Sequence, residues 1–162
     1  MKAIQIKQTG GPEVLEYVDL PTPTAKANEA VVKTTAIGVN FIDVYNREGR
    51  YKVPLPFVPG QEAAGIVEAV GKDVTTLKPG DRVAYASMLG SYAEYACVAA
   101  DRLVKVPDGV DDRQAAAVML QEGGTVHGHV AIHPKGSDRS EIPTERRLAL
   151  TPSHALKAVA QG

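Results

Sequence analysis

Residues 58–83, VPGQEAAGIVEAVGKDVTTLKPGDRV, carry the pattern that decides the fold. A Pro-Gly pair opens the segment, the apolar stretch AAGIVEAV follows, and a second Pro-Gly pair leads into DRVAYA. Apolar runs bounded by Pro and Gly are typical of short strands joined by turns. The segment therefore predicts two strands of a β-rich domain, with Gln61 and Glu62 as the polar residues beside the first turn.

The same alternation of short strands and turns continues on both sides of this segment. KAIQI, VLEYVDLP and AVVKTTAIGVN predict three strands that precede it. GSYAEYACVAADRLVKVP, which follows it, predicts two short strands with a break near residues 99–102. Many short strands with frequent turns predict a mainly β fold, either a barrel or a sandwich.

Two segments predict short helices instead of strands. In NFIDVYNREG, Asn40 is expected to be the N-cap residue, Asp43 to lie in the first turn and Gly49 to end the helix. In DGVDDRQAAAVML, Asp111 and Gln114 have the spacing of a capping box before an apolar helix. The chain is therefore predicted to be an α+β protein in which strands predominate.

Composition excludes several classes of protein. The chain has 162 residues, 44% of them hydrophobic and 23% charged, which is typical of one soluble packed domain. A net charge of −1 does not argue for a nucleic-acid partner, and the longest purely apolar run, Ala115–Leu120, is too short to span a membrane. The single cysteine, Cys97, cannot form a disulfide within the chain, so we expect a cytoplasmic protein and a small, buried Cys97.

The composition changes near residue 121. All of the tyrosines and phenylalanines precede this point, and all four histidines follow it. We therefore predict one domain over residues 1–121 and a divergent tail over residues 122–162. Three interpretations of the tail stay open: a loosely ordered, partly disordered arm, a segment that returns to complete the sheet, or an artefact. His127, His129 and His133 could bind a metal, but accidental affinity is the favoured interpretation because no supporting pattern surrounds them.

A set of segments in fixed order resembles a known family. They are GGPEVLEYVDLPTP, AIGVNFIDVYNREGRY, PFVPGQEAAGIVEAVGKDVTTLKPGDRVAYA, GSYAEYACV and VPDGVDDRQAAAVMLQ. Together they are similar to the catalytic, GroES-like domain of zeta-crystallin-type NADPH-dependent quinone oxidoreductases, in the medium-chain dehydrogenase/reductase superfamily. The resemblance covers residues 1–121. It implies a partly open β-barrel with short helices, and hydride transfer from NADPH to a quinone or another activated carbonyl.

The resemblance also implies that the site uses no zinc. Related zinc enzymes carry a histidine at the position of Gln61. They also carry a ligand cysteine shortly before the NFID segment, and this cysteine is absent here, where the sequence is AIGVN. We therefore predict no metal site. For Gln61, an amide that faces the active-site cleft and a polar residue at a strand edge are both open interpretations. Glu62 is expected to make local hydrogen bonds.

Asn40, Tyr45 and Tyr51 match positions that line the substrate and nicotinamide pocket of the family, and they are the predicted catalytic residues. An amide can donate a hydrogen bond to a developing oxyanion, and tyrosines offer flat faces and hydroxyl groups to a quinone ring. The structural alternatives are a helix N-cap for Asn40, core packing for Tyr45 and loop packing for Tyr51.

Asn40, Phe41 and Thr125 are the residues that the resemblance places next to the cofactor. From the sequence pattern alone, Phe41 is instead expected to anchor the helix in the core. The family binds the cofactor phosphates mainly in a Rossmann domain, at a Gly-rich turn that opens a helix. No stretch of that kind occurs in residues 1–162, and the tail is too short for several βαβ units.

The sequence thus resembles a catalytic half that lacks the usual Rossmann domain. Three explanations are open: a truncated or frame-altered product with an unrelated tail, a single-domain protein, or a half whose partner domain comes from another chain. We expect this chain to be inactive alone. The alternatives to an enzyme are a non-catalytic GroES-like binding or assembly module, which self-associates through its exposed cleft face, and a defective fragment.

Overall fold

A computed structural model describes residues 1–122 and 149–150 of the chain, in which strands outnumber helices. The strands of this part are β1 (Lys2–Ile6), β2 (Leu15–Asp19), β3 (Glu29–Gly38), β4 (Glu62–Val70), β5 (Arg82–Ala86), β6 (Tyr95–Ala99), β7 (Val104–Lys105) and β8 (Ala149–Leu150). The helices are α1 (Phe41–Glu48) and α2 (Asp112–Glu122). A short 3-10 turn, Ala100–Arg102, forms the predicted break between β6 and β7.

The strands form two antiparallel sheets. β1 and β2 make a ribbon, and the second sheet has the order β6-β3-β4-β5-β7 with β8 also paired to β3. Backbone hydrogen bonds join the ribbon to the segment before β6, for example from Ile4 N–H to the Tyr92 carbonyl at 2.9 Å. The two sheets do not close into a complete barrel, so the predicted mainly β, partly open architecture is confirmed.

β3 is the strand on which the larger sheet is built. It pairs with β4 along one edge, and with β6 and β8 along the other. Its sequence, EAVVKTTAIG, is rich in β-branched residues, and most of its side chains are buried. Only two residues separate the end of β3 at Gly38 from the start of α1 at Phe41, so this central strand also sets the position of that helix.

Helix α2 covers one face of the larger sheet. Its contact with the sheet consists mostly of alanines, which allow the helix backbone to approach the strands closely. The buried residues of this cluster that come from β3, β4, β5 and α2 are Ala36, Ala64, Ala84, Ala86, Ala115, Ala116 and Met119. Asp112 fixes the start of the helix, because its carboxylate accepts hydrogen bonds from Arg82 Nη2 and Thr35 Oγ1, both at 2.6 Å.

The turns and caps predicted from the sequence are confirmed. Gly60 and Gly80, in the two Pro-Gly pairs, have φ values of 85° and 92°, a region that only glycine enters without strain. α1 begins after Asn40 and ends before Gly49. At α2, Gln114 N–H donates to Asp111 Oδ1 at 2.8 Å and Asp111 N–H donates to Gln114 Oε1 at 3.3 Å, which is a capping box.

Two residues of the tail join the sheet. Ala149 pairs with Gly38 and Leu150 with Ile37, beside the end of β3 that β6 leaves uncovered. This pairing agrees with one of the three interpretations of the tail, the segment that returns to complete the sheet. The boundary at residue 121 lies at the edge of the described residues, and the tail histidines and Thr125 lie outside them, so what we expect of these residues stays a prediction.

Cys97 is not the buried residue that its alternating strand suggests. Ala96 and Val98 are the buried residues of β6, whereas Cys97 lies on the opposite face and is half-buried. Its Sγ donates to Glu29 Oε2 at 3.2 Å. Burial raises the pKa of the Cys97 thiol to about 11, and the Glu29 carboxylate adds to this increase. Little thiolate is therefore present at neutral pH, and the thiol is a poor nucleophile.

Substitution of Glu29 by glutamine should make Cys97 more reactive, because it removes a negative charge that disfavours the thiolate. We expect iodoacetamide to alkylate the Glu29→Gln variant roughly three- to tenfold faster at pH 8, as expected for a fall in thiol pKa of about half to one unit. The pH dependence of the rate gives the pKa directly. Glu68→Gln, at an exposed position on β4, is the matched control; equal rates in all three proteins would contradict the assignment.

Candidate functional site

The start of α1 is held by reciprocal hydrogen bonds. Asn40 N–H donates to Asp43 Oδ2 at 3.0 Å, and Asp43 N–H donates to the Asn40 carbonyl oxygen at 3.0 Å. These bonds satisfy the amide groups that a helix N-terminus leaves free. Asn40 is therefore the N-cap residue that the sequence predicts, and the NH₂ group of its side chain makes a further contact.

That side-chain amide is bound to a buried carboxylate. Asn40 Nδ2 donates to Glu62 Oε2 at 2.8 Å, and Leu120 N–H donates to Glu62 Oε1 at 2.7 Å. Glu62 is the first residue of β4 and its exposed fraction is 2%. One carboxylate thus connects the start of α1 with the last turns of α2. These contacts agree with the hydrogen-bonding role expected for Glu62.

Gly38 makes room for the Glu62 side chain. The two residues are partners in the β3–β4 pairing. A Cβ atom on Gly38 would lie 2.3 Å from Glu62 Oε2 and 2.6 Å from the Ala116 carbonyl oxygen, both far inside normal contact distance. Only glycine at this position lets the carboxylate pass over β3 toward Asn40.

Three aromatic rings, here called the aromatic row, extend from the first turn of α1 into the following loop. Phe41 and Tyr45 have ring centroids 5.5 Å apart, and Tyr45 and Tyr51 have centroids 5.9 Å apart, both edge-to-face. The Arg50 guanidinium lies 4.9 Å from the Tyr45 ring centre. Phe41 is 73% exposed and Tyr51 is 54% exposed, whereas Tyr45 is half-buried. The expectation that Phe41 anchors α1 in the core is therefore wrong.

Beneath the aromatic row, α1 is anchored by a buried polar pair. Tyr92 Oη donates to Asp43 Oδ2 at 3.0 Å, and the exposed fractions of these residues are 7% and 6%. Burial raises the pKa of the Asp43 carboxyl above its ordinary value, although its hydrogen bonds from Asn40 N–H and Tyr92 Oη act in the opposite direction. Burial and the neighbouring carboxylate also raise the pKa of Tyr92.

The sequence model of one protein family, the alcohol dehydrogenase GroES-like domain, matches residues 26–108 of this chain. These residues include β3, α1, β4 and the aromatic row. The chain belongs to this family. The resemblance on which the sequence analysis relied is thereby confirmed for the GroES-like domain.

Among the similar proteins are several quinone oxidoreductases. The one from Pseudomonas aeruginosa is 53% identical over 122 residues, which are 74% of this chain and 38% of that protein. A solved quinone oxidoreductase from Pseudomonas syringae has a TM-score of 0.72 at 51% identity, over 74% of this chain and 37% of that one. The Escherichia coli enzyme, solved in complex with NADPH, has a TM-score of 0.72 at 44% identity and the same coverage. The chain thus spans well under half the length of these relatives.

The structure brings together four of the five predicted site residues. Asn40 and Phe41 begin α1, and Tyr45 and Tyr51 continue the same surface; Thr125 lies outside the described residues. The sequence analysis missed Arg50 and Tyr92. Arg50 directly precedes a predicted pocket tyrosine, a signal that was available, but no local pattern connects Tyr92 with Asp43.

Other candidates contribute less to the site. Gln61 is half-buried and directly precedes Glu62 at the start of β4. Within residues 1–122 and 149–150, no group of three or more His, Cys, Asp or Glu side chains is arranged to hold a metal ion. His127, His129 and His133 lie outside the described residues. Of the helices described, neither is long and apolar enough to cross a membrane.

The raised pKa of Asp43 should appear in the pH dependence of stability. Above pH 3.8, the ordinary value of the carboxyl, the folded state binds more protons at Asp43 than the unfolded state, so ionisation lowers the free energy of unfolding as pH rises. Asp43→Asn removes this contribution. We therefore expect the stability of the variant, relative to the unmodified chain, to increase as pH rises above 3.8 and through the folded-state pKa of Asp43.

Urea unfolding at several pH values measures this difference. Asp73→Asn, at an exposed position after β4, is the control and should show no such trend. A relative stability of Asp43→Asn that is constant or falls with pH would show that the Asp43 carboxyl does not have a raised pKa.

Proposed function

We propose that residues 1–121 form the acceptor-binding half of a quinone oxidoreductase, which transfers a hydride from NADPH to a quinone or another activated carbonyl compound. The observation that carries this proposal is the exposed aromatic row beside the side-chain amide of Asn40. Flat rings next to a hydrogen-bond donor suit a flat acceptor with carbonyl oxygens. The similarity to quinone oxidoreductases from several organisms supports the same acceptor class.

In this proposal the chain's own residues bind and orient the acceptor. Tyr45 and Tyr51 contact the quinone ring, and Asn40 Nδ2 donates a hydrogen bond to the carbonyl oxygen that becomes negative. When bound, NADPH would supply the hydride and leave as NADP⁺. With the hydride and one proton from solvent, the quinone becomes a hydroquinone, so electrons and protons balance.

The residues present fit only the nicotinamide end of NADPH. Half-buried Asn40 and exposed Phe41 are neighbours at the start of α1, where a flat ring has a face and an amide to contact. Thr125 is a third contact under this proposal. The 162-residue sequence contains no Gly-x-Gly-x-x-Gly stretch to bind the cofactor phosphates. We therefore propose that this chain alone binds NADPH poorly and has little activity.

Zinc independence is part of the proposal, and its support is chemical. Zinc sites in proteins use Cys, His or carboxylate ligands, and the neutral amide of Gln61 belongs to none of these classes. A quinone carbonyl is already electrophilic, so hydride transfer to it needs orientation and a hydrogen-bond donor more than a Lewis acid.

The partners in this proposal are small molecules, NADPH and a quinone, with no nucleic acid and no membrane. A pI of about 6.4 supports the exclusion of nucleic acid. A cytoplasmic location is also part of the proposal. It is supported by the single cysteine, which cannot form a disulfide within the chain.

Quinone binding by this chain can be measured without turnover. Because the chain has no tryptophan, tyrosine fluorescence can follow a titration with tetramethyl-1,4-benzoquinone, whose fully substituted ring adds thiols slowly. We expect Tyr45→Leu and Tyr51→Leu each to weaken binding roughly three- to tenfold, as expected for the loss of one ring contact. Tyr17→Leu, at an exposed tyrosine on β2, is the matched control.

Equal affinity of all four proteins for the quinone would refute the proposed binding site at the aromatic row. A separate assay follows the absorbance of NADPH with the same quinone. Only slow oxidation of NADPH is expected from the unmodified chain, and rapid turnover would refute the claim that the chain is incompetent alone.

A second candidate function, a non-catalytic assembly module, is favoured by the exposure of the same surface. Val39, Phe41 and Tyr51 are 48%, 73% and 54% exposed, and such large apolar groups promote association. The proposed occupant is a second copy of the chain, which would cover one aromatic row with another.

Light scattering over a range of protein concentrations tests this alternative. If the aromatic row mediates association, the unmodified chain forms dimers and Phe41→Ser shifts them toward monomer, whereas Tyr17→Ser, at an exposed site on β2, does not. A monomer at all concentrations would remove the assembly role. Circular dichroism monitors whether the Phe41→Ser variant folds cooperatively. If it does not, the concentration dependence of light scattering by the unmodified chain decides the question.

A further inference from the structure

We propose that Glu62 is a positioning residue, which fixes the side-chain amide of Asn40 in one orientation and connects that orientation to helix α2. The inference rests on the proposed function, because it assumes that Asn40 contacts the acceptor. It goes further because a buried carboxylate, Glu62, controls which atoms of Asn40 face outward. In the proposal this carboxylate touches neither the acceptor nor the cofactor.

The chemistry of the contact determines the orientation. The atom of Asn40 that lies 2.8 Å from Glu62 Oε2 is the NH₂ nitrogen and not the oxygen, so the amide donates and the carboxylate oxygen accepts. The amide oxygen then faces the backbone of the first turn of α1, where the Asn40 side chain takes part in a capping box. Within residues 1–122 and 149–150, the second N–H of Asn40 makes no hydrogen bond, so it can serve the acceptor. A hydrogen bond to a charged group is roughly twice as strong as one between neutral groups, which disfavours a flip of the amide.

Glu62 is itself held in place from several directions. Leu120 N–H, from the last turns of α2, donates to its other oxygen at 2.7 Å. The side chain lies over Gly38, where even one methyl group would clash, and its exposed fraction is 2%. A side chain confined in this way cannot turn to follow Asn40. Asn40 therefore adjusts to Glu62, and a shift of α2 that moves Leu120 changes the position of the Asn40 amide.

Replacement of Glu62 by glutamine separates orientation from simple packing. Glutamine has nearly the same shape but only one acceptor oxygen, which cannot bind both the Leu120 N–H and the Asn40 NH₂ as two separate oxygens do. The backbone N–H of Leu120 cannot be reversed, so the oxygen is expected to stay there. The glutamine NH₂ then faces Asn40, which turns its own oxygen inward and moves its donor group to the other side.

Nuclear magnetic resonance of the full chain, which has a mass of 17.1 kDa, tests the orientation without any ligand. We expect a scalar coupling across the hydrogen bond from Asn40 Nδ2 to the Glu62 carboxyl carbon. In the Glu62→Gln variant the shielding of the Asn40 NH₂ protons changes and Leu120 N–H stays protected from exchange. Glu68→Gln, on the exposed side of β4, leaves both signals unchanged.

Quinone titration then tests the functional part. Glu62→Gln is expected to weaken binding of tetramethyl-1,4-benzoquinone roughly three- to tenfold, about the effect of one lost or misplaced hydrogen bond, with Glu68→Gln unchanged. Unchanged Asn40 signals or an unchanged Kd in a folded Glu62→Gln variant would overturn the inference.

Two further outcomes distinguish failure of the proposed function from failure of the positioning role. If the unmodified chain binds no quinone, the proposed function fails and takes the positioning role with it, while the ligand-free spectra still determine how Asn40 is oriented. If Glu62→Gln does not fold, the coupling in the unmodified chain decides: its absence, together with equal exchange of both Asn40 NH₂ protons, overturns the inference, and its presence supports it.

Discussion

The pairing of Gly38 with Glu62, where β3 ends and β4 begins, is the constraint on which the candidate site depends. Because Gly38 has no side chain, the Glu62 carboxylate can lie over β3 and bind Asn40 and Leu120 at the same time. The central strand thereby determines where α1 begins, and α1 in turn sets the direction of the aromatic row. A longer side chain at the end of β3 would break this connection even if every strand kept its pairing.

Two buried carboxylates lie close to the start of α1, and their energetics argue for a role beyond stability. A hydrogen bond to a charged group contributes about 1.5–3 kcal/mol, whereas removal of a carboxylate from water costs several kcal/mol. For Asp43 the balance is visible, since burial raises its pKa despite hydrogen bonds from Asn40 N–H and Tyr92 Oη. An apolar residue of similar shape would serve the core at least as well. What the carboxylates provide is direction, since each accepts hydrogen bonds from particular groups and so fixes the first turn of α1 and the amide of Asn40.

The sequence predicted those parts of the fold that depend on neighbouring residues. The start of α1 at Asn40, its end at Gly49 and the capping box of Asp111 with Gln114 are local patterns, and all three are confirmed. Phe41 was placed wrongly because an apolar residue in a first turn looks the same whether it faces a core or an open surface. The Asn40–Glu62 and Asp43–Tyr92 contacts join residues 22 and 49 positions apart. Such contacts follow from strand register and sheet order, which the pattern of a single chain does not specify.

Under the proposed function, the contrast between the hydrogen-bonded Asn40–Glu62 contact and the exposed aromatic row explains why this chain should bind an acceptor better than it reduces one. Asn40 and Glu62 are fixed by hydrogen bonds, but Phe41 and Tyr51 are more than half exposed. Complete burial of one such ring is worth about 1.5–3 kcal/mol, while association of two free molecules costs at least about 4 kcal/mol of lost translational and rotational freedom. A small acceptor that covers only one face of the aromatic row therefore gains little beyond that cost. A surface that covers the other face and holds the cofactor would bury the same rings more completely and keep water from the reacting atoms. Under the proposed function, the GroES-like domain therefore supplies the oriented amide of Asn40. The additional binding energy that tight acceptor binding requires would come from a surface that covers the aromatic row.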